Sequence, residues 1–182
     1  MNKAFAAILI IAAAMGIATV ATAATAEDKL TYKAAQESAA TEYKIAREKC
    51  NSFAANAKEI CVTEAEAART RTTAEAEAQY KNTPSARASA STAIANSEYD
   101  VAKTKCDNKA GNDKDVCIKE AKAANVSAKA DAKADKKVVA ARTDARNDKQ
   151  DANYKVAIEK CDALAGASKD SCVASAKALY GK

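Results

Sequence analysis

Apolar positions recur at helical spacing along most of the chain. Over residues 28–53, Tyr43, Ala46, Cys50 and Phe53 fall three, four and three apart, the spacing of one helix face. Tyr32 lies eleven residues before Tyr43, three helical turns, on nearly the same stripe. Residues 54–57 read as a tight turn, in which Asn56 with Glu59 resembles a capping box. A second helix is expected over about 57–80, with Cys61, Ala65, Ala68 and Thr72 inward. Asn82-Thr83-Pro84 is the clearest break, because Thr83 can cap and Pro84 suits a first helical position. The third helix should span about 84–109 and carry Ala95, Tyr99, Ala102 and Cys106 on one stripe. Gly111 suits a left-handed residue that ends this helix. Asn112 can cap the next, with Asp113 and Asp115 in its positively polarised first turn. Residues 113–165 contain no Gly or Pro, which allows a helix of some fifty residues, about 75 Å long. Its weakest part is 143–153, rich in Asp and Asn, where a kink or break is the alternative. Residues 166–168 repeat the Gly111 turn, and a short helix over 169–180 follows.

One pattern organises these elements. Tyr99, Ala102, Lys105-Cys106, Lys114-Asp115, Cys117 and Ala121 have counterparts in Tyr43, Ala46, Lys49-Cys50, Lys58-Glu59, Cys61 and Ala65. A third set is Tyr154, Ala157, Lys160-Cys161, Lys169-Asp170, Cys172 and Ala176. The period is 56 residues from Cys50 to Cys106 and 55 from Cys106 to Cys161. The expected fold is all-α: long Ala-rich helices in three antiparallel hairpin repeats, extended or loosely bundled, with units of about 43–98, 99–153 and 154–182.

Composition agrees with thin, close-packed helices. Alanine dominates, Trp and His are absent, and the whole chain has 4 Gly and 1 Pro. Large apolar residues are too scarce for a wide core, whereas alanine has the best helix propensity and lets helices approach to about 8 Å. Lys3 followed by an uncharged apolar run over 4–20, then Ala21-Thr22-Ala23 and Ala24-Thr25-Ala26, reads as a secretory signal peptide over 1–23, with Ala26 as a second cleavage site. The helical region is then 24–182, without a transmembrane segment after cleavage. The 29 Lys and Arg against 24 Asp and Glu are interspersed, which bears on solubility and gives no nucleic-acid footprint.

All 6 cysteines of the chain lie in the repeated unit. In an exported chain they read first as disulfides. In an unbroken helix Cys106 and Cys117 would sit about 16 Å apart along the axis, too far to bond. With a turn at Gly111 they face each other across the hairpin. The expected bridges are therefore Cys50–Cys61, Cys106–Cys117 and Cys161–Cys172. No zinc set of four ligands and no C-x-x-C pair is present, so neither metal nor cofactor is expected. Tyr43, Tyr99 and Tyr154 read as packing residues, or alternatively as a row of ligand contacts. Lys58, Lys114 and Lys169 read as solvated turn-tip residues, or as a contact surface for anionic partners. Asp115 with Lys119 and Asp151 with Lys155 have the spacing of helix-surface ion pairs. Without histidine the usual triads are excluded, no phosphate loop occurs, and no catalytic residue is expected.

The Tyr-x2-Ala-x2-Lys-Cys … Lys-(Asp/Glu)-x-Cys-x3-Ala unit behind a signal peptide resembles small exported Ala/Lys-rich proteins of proteobacteria, often labelled TolA-like or cell-envelope biogenesis proteins. That resemblance implies a periplasmic or secreted, non-enzymatic structural or interaction protein of the cell envelope. Its partner would be a protein or envelope component, and self-association is compatible with the helices. A chaperone-like or stress-related binder is the alternative, and a thiol redox sensor is a third.

Overall fold

The computed structural model describes residues 26–182. The expected signal peptide over 1–23, with its cleavage site after Ala23, lies outside that range, and Ala26, the second expected site, is the first residue of it. The described residues are almost wholly helical: α1 (Ala26–Lys49), α2 (Ala55–Lys81), α3 (Pro84–Cys106), α4 (Gly111–Cys161) and α5 (Gly166–Tyr180), with one short 3-10 turn at Cys50–Ser52. None of the helices is long and apolar enough to cross a membrane.

Among the described residues, each helix packs only on its neighbours in sequence: α1 on α2, α2 on α3, α3 on α4, and α4 on α5. Cross-helix pairs show that every contact is antiparallel. Tyr43 meets Glu66, Arg71 meets Glu98, Lys136 meets Ser85, and Gln150 meets the Tyr180 carbonyl. The apolar residues that become buried are small. They are Ala39, Ala65, Ala78, Ala90, Ala95, Ala132 and Ala176, together with Cys50, Cys106 and Cys161. Side chains of this size let neighbouring backbones approach closely, and the helices form a row with no shared central core.

Three turns have the same backbone. The carbonyl of the first cysteine accepts from the N–H three residues on: Phe53 at 3.1 Å, Lys109 at 2.9 Å and Leu164 at 3.0 Å. An extended alanine follows (Ala54, Ala110 or Ala165). The next residue is left-handed: Ala55 at φ 47°, Gly111 at 54° and Gly166 at 56°. Gly111 therefore opens α4; the expectation that it ends α3 is corrected, and α3 stops earlier, at Cys106. The N-cap of α4 is Ala110 with no side-chain bond, so Asn112 does not cap. Asn56 and Glu59 form no capping box either, because the N-cap is Ala54 and Asn56 bonds Asn108 in the turn after α3. Phe53 is 52% exposed, since α1 ends before it and the tightened turn swings it outward. On α2, Ala68 is exposed while Ala65 is buried.

The link from α2 to α3 is different. Asn82 takes a left-handed φ of 44°, and Thr83 Oγ1 accepts from the Ala86 N–H at 3.0 Å just before Pro84. One period later the chain has Val138-Val139-Ala140, with neither a capping residue nor a proline. Helix α4 accordingly runs through as 51 residues, about 76 Å, including the Asp- and Asn-rich stretch.

The left-handed position generates a prediction. A Cβ at Gly111 would meet nothing within 4 Å, so only the backbone conformation opposes a side chain there. Gly111→Ala should lower stability by about 1 kcal/mol, and Ala55→Gly should raise it by up to about 1 kcal/mol. Urea unfolding of both variants checks this; equal and same-signed shifts would contradict it.

Candidate functional site: the disulfide-clasped turns

The repeated cysteines come together at the turns. Cys50 bonds Cys61, Cys106 bonds Cys117 and Cys161 bonds Cys172, with Cα separations of 5.6, 5.7 and 5.6 Å. Cys106 and Cys161 are the last residues of their helices and Cys50 directly follows α1; each of the three is at most 1% exposed. The second cysteine of each pair lies in the first turns of the next helix and is half-buried. The first cysteine thus makes two fastenings: its carbonyl closes the turn and its sulfur joins the two helices.

An ion pair straddles the second and third turns. Lys114 Nζ lies 2.8 Å from Asp107 Oδ1, and Lys169 Nζ lies 2.8 Å from Asp162 Oδ1. The hydrogen bond to the Asp162 carboxylate, together with its charge, holds the Lys169 ammonium above its ordinary range. These lysines are not simply solvated. In the first turn the aspartate position is Asn51, so Lys58 has no matching carboxylate. The partners were missed in the sequence because they sit seven residues apart, a spacing that meets only when a turn intervenes. An aspartate directly after the first cysteine was the available signal.

The two turns at one end of the row also touch each other. Asn56 Nδ2 donates to Asn108 Oδ1 at 2.7 Å, and Lys105 Nζ reaches Glu64 Oε1 at 2.7 Å. Asn56 Oδ1 is buried with no hydrogen-bond partner. The third turn stands at the far end of α4.

The three equivalent tyrosines are half-buried but have diverged. The Tyr43 hydroxyl donates to Glu66 Oε1 at 2.8 Å, and the Arg69 guanidinium lies 4.4 Å from the ring centre. The bond to Glu66 favours the neutral phenol and raises its pKa. The counterpart of Arg69 is Asn125, which donates to the Ala95 carbonyl and to Asn96 instead. Tyr154 packs edge-on against Tyr180 at 6.1 Å, and Tyr32 stacks on Tyr80 at 5.0 Å. Asp151 pairs with Lys182 across the α4–α5 contact, in place of the expected pairing with Lys155.

The concave surfaces are shallow grooves between helices. One, of about 400 Å³ between α3 and α4, is lined by Ser85, Ser89, Thr92, Asn96, Lys129 and Lys136 among others. Among the described residues, no group of three metal-binding side chains converges.

The clasp is a stability device, and its size is testable. Replacing both Cys106→Ala and Cys117→Ala should cost up to about 3 kcal/mol by the chain-entropy account. Asp107→Asn, which removes only an exposed ion pair, should cost less than about 1 kcal/mol. Urea unfolding orders the two; an aspartate variant as damaging as the cysteine pair would overturn this ranking.

No protein-family model matches the chain, and comparisons with curated proteins and with solved structures find no match.

Proposed function

We propose that this chain is an exported, non-enzymatic structural or interaction protein of the cell envelope, built as three helical hairpin repeats. The observation that carries the reading is the serial row of helices that includes the continuous 51-residue α4, clasped at both ends. Such an arrangement spans distance with little mass and does not enclose a ligand. Three disulfides are compatible with an oxidising compartment, and the sequence resemblance to TolA-like envelope proteins points the same way. The sealed first sulfur of each clasp favours a structural over a redox-sensing use of the cysteines.

A chaperone-like binder is the second reading, favoured by apolar side chains left exposed at two turns, Phe53 at 52% and Leu164 at 44%. Two measurements separate them. If the structural reading is correct, cross-linking in intact cells captures a defined envelope partner, and the purified protein leaves the aggregation of unfolded clients unchanged. Suppression of aggregation at stoichiometric amounts, lost on Phe53→Ser and Leu164→Ser, would replace it with the binder.

A further inference from the structure

Helices α2 and α3 each use two sides. One side of α2 takes α1 and the other takes α3; α3 lies between α2 and α4. By the sequence period, residues 111–137 of α4 correspond to α2, and residues 140–161 to α3. The corresponding halves cannot pack on each other, because they belong to one continuous helix.

The side left over is continuous. Asn125, Lys129 and Lys136 bond to α3, and Gln150 and Cys161 meet α5. At about 100° per residue these positions lie on one side of α4. The opposite side carries Val116, Glu120, Ala130, Ala145, Val156 and Lys160, all of them exposed. Val116 is 43% and Val156 55% exposed. Their counterparts one period earlier, Ile60 and Val101, are half-buried. The counterparts of Glu120 and Lys160 are Glu64 and Lys105, which form the 2.7 Å ion pair between α2 and α3.

We propose that this side of α4 takes a second copy of the chain, whose own α4 lies antiparallel on it about a two-fold axis near residue 140. The contact reproduces between copies the packing that α2 and α3 make within one. Charge selects a second copy over an unrelated partner. Glu120 and Lys160 are equidistant from residue 140, and so are Asp131 and Lys149 on the same side. A self-complementary interface needs this placement: each acid falls opposite a base of the other copy, twice by symmetry. The inference rests on the repeat reading of the chain, and the experiment separates the two.

Isotopically heavy and light full-length exported protein is mixed, equilibrated and treated with a carbodiimide, which condenses a contacting carboxylate and amine to an amide. In a straight α4, Glu120 and Lys160 are about 60 Å apart, beyond reach of each other within a chain. The expected product is a Glu120–Lys160 link of mixed isotopic composition, together with a dimer mass by light scattering. Glu120→Lys and Lys160→Glu should each weaken the dimer about tenfold, and the double reversal should restore it. Ala130→Glu, at an exposed position, should remove the dimer while leaving helicity unchanged. A link of unmixed composition would overturn the second copy but keep the repeat, because the chain then folds back on itself near residue 140. Absence of any Glu120–Lys160 link, or a monomer at all concentrations, would overturn the proposal outright.

Discussion

An interface made of alanine can bring two helices close, but it gives little resistance to their sliding along each other. Each buried methyl contributes roughly 0.8 kcal/mol at most, and one small side chain replaces another after a shift of a single turn. The bridge between the end of one helix and the start of the next removes that freedom. With Cys106 bonded to Cys117, the register of α3 against α4 is set at the turn, and Ala95 of α3 and Ala132 of α4 are both buried. The polar cross-links then fall into place as consequences: Asn125 on the Ala95 carbonyl and Lys136 on Ser85 require that register. The α2–α3 contact has no bridge of its own. It is held by the Thr83–Pro84 entry to α3 and by ion pairs such as Lys105–Glu64.

Because contacts run only between neighbours in sequence, the energetics of this chain are close to one-dimensional, a sum of helix terms and nearest-neighbour terms. A change in α5 has no direct route to α1. The same serial arrangement explains why one substitution at a connector alters the outline. Where Asn82, Thr83 and Pro84 turn the chain, α2 and α3 lie side by side; where Val138, Val139 and Ala140 replace them, the helix goes on.

The helical elements were legible from spacing, since period and breakers act locally. The α4 helix follows from the missing Gly and Pro, and the start of α3 from Thr83-Pro84. The backbone inside the turns was less legible. A glycine near a helix junction suits either the end of one helix or the opening of the next, and Gly111 does the second. Its register with Ala55, a residue that pays a left-handed penalty, shows that the turn geometry dominates local preference. The Lys114–Asp107 and Lys169–Asp162 pairs were not legible, because their seven-residue spacing implies contact only once the turn is known. The diverged tyrosines depend on what faces them, such as Glu66, Arg69 and Tyr180, and no single-helix pattern carries that information.

Between the start of α3 and the end of α5, residues 140–149 of α4 are exposed on every side. A lone helix bends more readily than a clasped pair, so flexure of one copy concentrates in this segment. Its backbone hydrogen bonds are also the least shielded of α4. In this segment Arg142 with Arg146, and Asp144 with Asp148, are like charges four residues apart, so each pair opposes the helix it sits on, and salt that screens them eases that opposition.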